Sequence, residues 1–124
     1  MEQAAPAPRQ TFQGASRIRR RPEFQRVYSS GERMRLRLMT VMVLANDRGS
    51  SRLGIAATRK LGGSVVRNRA KRLVREVFRK ADVPAGLDIV VIPRRDMLDA
   101  EYRTLEAEFR YALRRAGRRP GTGS

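Results

Sequence analysis

A chain of 124 residues has room for one domain, and with 40% hydrophobic residues it can bury a modest core. It has no Cys and no His, which excludes disulfides, thiolate metal sites and the imidazole that most protein-borne acid–base catalysis uses. Its net charge of +16 points instead to an anionic partner.

Residues 1–16 are rich in Ala, Pro and Gln, show no periodicity and read as a disordered tail. Arg17, Arg19, Arg20 and Arg21 form a basic run that solvent or phosphate could neutralise. Pro22 suits a first helical turn. A short helix over 23–29 then sets Phe24, Val27 and Tyr28 on one side, and Gly31 is a plausible stop. Arg35 to Ala45 reads as a strand covered in part on both faces. Asn46 to Ser51 is a turn by composition. Arg52 to Thr58 reads as a second strand, expected to pair with the first as an antiparallel hairpin. Arg59 to Gly63 is a tight loop whose Gly62 and Gly63 allow close backbone approach.

Ser64 to Ala81 is the strongest amphipathic helix in the chain. Val66, Ala70, Leu73, Val74, Val77, Phe78 and Ala81 recur at steps of three and four, and Ser64 is the expected N-cap. The other faces carry Arg67, Asn68, Arg69, Lys71, Arg72, Arg75, Arg79 and Lys80 with Glu76 as the single acid. Like charges at this spacing repel, so the face becomes tolerable when a polyanion covers it. The bias extends upstream. Between Arg17 and Lys80 stand 19 Lys or Arg against four acids, which is +15 of the chain's +16.

Val83 to Gly86 is a break, Leu87 to Ile92 a short buried strand, and Pro93 its end. Met97 to Ala116 reads as a helix with Leu98, Tyr102, Leu105, Phe109, Ala112 and Leu113 on its stripe. Residues 117–124 read as a disordered basic tail. The element order suggests an α+β sandwich, one small sheet with helices on a face. A parallel strand–helix–strand unit over 52–92 would by the general rule be right-handed. No apolar run approaches the ~20 residues of a membrane span, and no signal-peptide core is present. The expectation is a soluble, cytoplasmic protein without a membrane role.

Arg52 to Arg79, RLGIAATRKLGGSVVRNRAKRLVREVFR, resembles the bacterial ribonuclease P protein family. The matching elements are Arg59-Lys60, Gly62-Gly63 and the RNR-x-KR-x-x-RE helix from Arg67 to Glu76. The likeness extends upstream through Phe24 to Tyr28 with Gly31, and downstream through Asp88 to Arg94 and the last helix. It covers about residues 17 to 115, with a domain expected over 17–116.

The resemblance implies a two-layer α/β sandwich with a small mixed sheet and a left-handed β-α-β crossover, like the second domain of ribosomal protein S5. That handedness opposes the general rule. It implies one protein per catalytic ribonuclease P RNA, in an endoribonuclease that removes the 5′ leader from precursor tRNA. The protein would bind the leader and help bind substrate and Mg²⁺, while the RNA and its Mg²⁺ would carry the chemistry, with no catalytic residue in the protein and no metal ligand singled out. Arg59, Lys60, Arg67, Asn68, Arg69, Lys71, Arg72 and Arg75 would face RNA. Phe24 and Tyr28 would line the leader cleft, with Thr58 and Lys60 at its floor and rim. An aromatic that the family strand often carries is absent near Thr40 and Met42.

Other readings stand beside these. Phe24 and Tyr28 have the spacing of ordinary core residues. Glu76 and Asp88 read as structural, Glu76 paired with nearby arginines. A ribosomal protein bound to structural RNA would also be small, basic and free of Cys. An architectural DNA binder would need a groove-reading helix or a dimer.

Overall fold

A strand that is apolar on both sides needs cover on both faces and neighbours on both edges. Leu87 to Ile92 is the clearest such run here, and the sheet is built around it. The computed structural model describes residues 17–123. Its elements are α1 (Arg21–Ser30), β1 (Glu32–Arg35), β2 (Met39–Ala45), β3 (Arg52–Ile55), α2 (Ser64–Lys80), β4 (Leu87–Pro93), a 3₁₀ turn (Arg95–Asp99) and α3 (Tyr102–Gly123). The strands lie in the order β1-β2-β4-β3. β2 is antiparallel to β1 and β4, and β3 is parallel to β4. The expected tail over 1–16 lies outside the described residues, as does Ser124. The backbone of 117–123, expected as a tail, continues α3.

β2 and β3 do not form the expected hairpin, because β4 inserts between them. Ile89, Val90 and Val91 are fully buried, and a strand of that kind takes the centre. β3, only four residues long, is left with its outer edge toward residues 17–19. There the Ile18 N–H donates to the Leu53 carbonyl at 3.0 Å.

Alternation along the strands separates two cores. Met39, Val41, Val43, Leu53, Ile89 and Val91 face α2 and α3. Met42 and Val90, opposed across β2 and β4, face the other way and pack with Ile18 and Val27 under α1. The sheet with helices on one face is thus completed by α1 on the second. Val27 is fully buried and anchors that helix, while Phe24 and Tyr28 beside it are half-buried.

Four boundaries differ from the sequence reading, the first being the expected 52–58 strand, which stops at Ile55. The expected 35–45 strand is instead two antiparallel strands, β1 and β2, joined by a tight turn in which the Leu36 N–H donates to the Met39 carbonyl at 2.9 Å, while the Leu38 N–H in that turn donates to the Glu108 carboxylate of α3 at 2.9 Å. Ser64 is the first residue of α2 rather than its cap. Gly63 caps the helix, preceded by Gly62 at φ +149°, a conformation L side chains rarely adopt. The expected 97–116 helix is also interrupted. Met97 tucks into the core on the 3₁₀ turn, Ala100 is extended, and α3 begins at Tyr102.

One polar cluster is buried with the α1 face. Arg52 and Asp88 are opposed in the β3–β4 register. Arg52 Nε and Nη2 donate to the two carboxylate oxygens of Asp88 at 3.0 and 2.7 Å, and Asn46 Nδ2 donates to Asp88 at 2.7 Å. Arg52 Nη1 reaches Glu23 of α1 at 3.1 Å. The other Glu23 oxygen accepts the Arg19 and Arg20 N–H groups at 3.4 Å, where an acid also suits the start of a helix. Burial alone would raise the Asp88 pKa. The bonds from Arg52 and Asn46 and the charges of Arg52 and Arg26 outweigh it and hold the carboxyl below its ordinary value. The Arg52 hydrogen bond likewise lowers Glu23 against its burial.

Asp88→Ala leaves the Arg52 guanidinium buried without its main partner, and urea unfolding should show a loss of about 3–5 kcal/mol. Both carboxylates are depressed in the fold, so their contribution is present above the ordinary values of 4.5 and 3.8 and is lost as pH falls through the lower folded ones. The stability of the parent should drop on acidification in that range. That of Asp88→Asn should drop less, and parallel curves would remove Asp88 from the linkage.

Candidate nucleic-acid interface

α2 buries Ala70, Val74 and Val77 and turns its cations outward. Asn68, Arg69 and Arg72 are exposed, and Arg67, Lys71 and Arg75 are half-buried. Arg67 donates to its own Gly62 carbonyl at 3.3 Å and Arg69 to the Leu98 carbonyl at 3.2 Å, which holds both side chains against the surface. Glu76 is fully engaged at the far end of the helix. It accepts from Arg79 and from Lys80, the latter at 3.0 Å, and these two cations hold its pKa down. Among the described residues, no acid pairs with Arg59, Lys60, Arg67, Arg69, Lys71, Arg72 or Arg75. The helix therefore presents uncompensated guanidinium and ammonium groups, the planar forks of Arg being suited to phosphate oxygens.

Lys71 and Arg75, one turn apart, face a cavity of about 180 Å³ at the β3 edge. Its other walls are Arg17, Ile18 and Arg19 before α1, and its floor includes Leu53 and Ile55 of β3. Burial first, and then the charge of Arg17, push the Arg75 pKa down. Arg17 and Arg19 belong to the basic run that could meet solvent or phosphate, but neither was among the residues named for the RNA-facing group. Their signal in the sequence was the alternation Arg17-Ile18-Arg19, which buries the middle residue and leaves the flanking ones lateral.

The α1 face has a different character. The Phe24 and Tyr28 rings lie 6.2 Å apart at a 56° tilt. Gly54 makes room for Phe24, since a Cβ there would come within 2.9 Å of its ring. Leu44 and Ile92 complete the half-buried apolar rim. Thr40 and Met42, where the family strand often has an aromatic, are buried here. Thr58, Arg59 and Lys60 are exposed on the segment that joins β3 to α2. The structure thus gathers the two rings on one face of the sheet and the α2 cations on the other side of β3, with Thr58 to Lys60 between these elements in the chain.

A family model described as ribonuclease P matches residues 12–117. The chain belongs to the ribonuclease P protein family. The ribonuclease P protein component of Clostridium botulinum (strain Loch Maree) is 35% identical over 105 residues, 82% of this chain and 95% of that protein. The ribonuclease P protein of Thermotoga maritima superposes with a TM-score of 0.72 at 34% identity, over 80% of this chain and 96% of that one. The ribonuclease P protein of Staphylococcus aureus gives 0.71 at 33% identity, over 82% and 94%. The chain is thus a bacterial ribonuclease P protein component, a subunit of the ribonucleoprotein that processes the 5′ end of tRNA. Ribosomal and DNA-binding readings of the basic helix give way to this one.

Arg72 is the exposed centre of the ribonuclease P protein's cationic helix. Arg72→Ala should lower the slope of log affinity for ribonuclease P RNA against log salt by about 0.7–0.9. Its stability should stay within about 0.5 kcal/mol, as expected of a surface site. An unchanged slope removes Arg72 from the interface.

Proposed function

We propose that the α2 face binds the catalytic RNA of ribonuclease P while the α1 face receives the single-stranded 5′ leader of precursor tRNA. The carrying observation is the set of α2 cations from Arg67 to Arg75 that no acid among the described residues neutralises. Arg59, Lys60, Arg67, Asn68, Arg69, Lys71, Arg72 and Arg75 form this RNA-facing group. Phe24 and Tyr28 are half-exposed rings over a rigid sheet, a surface on which bases can stack for about 1–3 kcal/mol each. Thr58 and Lys60 border that path. The protein's part in hydrolysis is positional: it holds substrate against the RNA, lowers the repulsion between two polyanions and leaves bond cleavage to the RNA.

Mg²⁺ belongs to the RNA in this reading. Among the described residues no group of three or more acidic side chains comes together. The acids of the basic region, Glu23 and Glu76 above all, are already bound by Arg52, Arg79 and Lys80. These donors do not fit a resident divalent cation, and no step of the protein's action passes through one. The subunit acts as one copy per RNA, in the cytoplasm. Among the described residues no helix is long and apolar enough to cross a membrane.

The test is reconstitution. The purified protein should restore precursor-tRNA cleavage by a bacterial ribonuclease P RNA at low Mg²⁺, with the gain shrinking as Mg²⁺ rises. No stimulation anywhere in the series would defeat the proposal. Phe24→Ala should weaken holoenzyme binding of leader-bearing tRNA by roughly 5- to 150-fold, the equivalent of one stacked base, and leave mature tRNA unaffected. Equal losses on both would mean that Phe24 is core packing only.

A further inference from the structure

The basic run before α1 is not a loose extension. Ile18 is buried and its N–H is bonded to β3, so Arg17 and Arg19 are carried on backbone that the sheet edge holds in place. Facing them across the cavity are Lys71 and Arg75, half-buried and a helical turn apart. Among the described residues the lining includes Arg17, Arg19, Lys71 and Arg75 and no acid. Arg75 is crowded enough for burial and the charge of Arg17 to disfavour its charged form. A cavity of about 180 Å³ lined by cations from two distant segments, with the apolar Leu53 and Ile55 of β3 between them, is arranged for one compact anion attached to a less polar group.

We infer that this cavity seats a single backbone phosphate of the catalytic RNA, gripped by Arg19 from the segment before α1 and by Lys71 and Arg75 from α2, with its ribose toward Leu53 and Ile55. The site rests on the ribonucleoprotein reading above and extends it to a segment outside the signature helix. It belongs to the catalytic RNA rather than the leader because Leu53 and Ile55 point to the α2 side of the sheet, whereas the Phe24 ring lies over Gly54 on the other. The 17–19 segment then works as a clamp: pinned to β3, it closes a phosphate between itself and α2.

The experiment compares Arg19→Gln, Lys71→Gln and the double variant for binding to ribonuclease P RNA across a salt series, with Arg72→Ala as the reference. Each single variant should lower the salt slope by about 0.7–0.9, so that a tenfold rise in salt weakens it about five- to eightfold less than the parent. The double variant should lose no more than either single one, because both residues grip the same phosphate. Arg48→Gln, on an exposed turn outside the cavity, should bind like the parent. Thermal melting verifies that each variant is folded, and Arg19 is exposed enough for its side chain to be replaced without disturbing the core.

Additive losses in the double variant would mean two separate phosphates and would overturn the clamp. So would a parental slope for Arg19→Gln beside a lowered one for Arg72→Ala, with the wider interface left standing. A loss confined to leader-bearing tRNA, with RNA binding unchanged, would place the cavity on the substrate and overturn its assignment. Failure of Arg72→Ala and both cavity variants to alter the slope would sink the RNA-facing reading of α2 itself.

Discussion

Arg52 and Asp88 are opposed residues of neighbouring parallel strands, and their bidentate pair is buried on the α1 side of the sheet. Through Glu23 the pair reaches the first turn of α1 and so sets where Phe24 and Tyr28 stand. Along β3 it continues into Leu53, to which residues 17–19 are bonded, and so into the wall of the cationic cavity. A buried pair of this kind is weak as a source of net stability but costly to break, because a lone guanidinium or carboxylate would be stranded away from water. Its value here is geometric, since one interaction fixes a helix, an edge strand and the basic segment between them.

The distribution of acids explains why the cations remain available. Glu23 is taken by Arg52, Glu76 by Arg79 and Lys80, and Asp88 by Arg52 and Asn46. Each acid neutralises a cation that has a structural task or lies at a helix end. Among the described residues, the middle of α2 is left without one. An RNA backbone then supplies the missing charge, and the repulsion that the free protein tolerates becomes part of what binding relieves. The α1 face is the complement: half-buried rings on a firm sheet, with affinity from stacking rather than from charge.

Much of the helical architecture was legible. The stripe from Val66 to Ala81 names the buried side of α2, and Ala70, Val74 and Val77 are its most enclosed members. Pro22 and Gly31 bracket α1 as expected. The strands were harder. Met34, Leu36 and Leu38 alternate with arginines as though the strand were continuous, but the chain reverses between Arg35 and Thr40, and Glu108, 70 residues away, accepts the Leu38 N–H left over at that turn. The order β1-β2-β4-β3 was equally hidden, because pairing depends on which strand most needs cover, and that is a comparison among segments far apart in the chain.

Local chemistry in the sequence determined a great deal: where cations concentrate, the absence of Cys and His, the RNR helix, and the two aromatic residues one helical turn apart. These are properties of residue type and spacing, which any fold must accommodate. Only the tertiary structure decided which cations keep company. Arg17 and Arg19 lie some fifty residues from Lys71 and Arg75, and it is the bonding of Ile18 to the β3 edge that brings the two pairs to one cavity. Likewise Val27, rather than either ring, became the buried anchor of α1, because the helix lands on Met42 and Val90 at an angle set by the sheet. Spacing along a chain assigns a side chain to a face; what that face meets depends on how distant segments pack.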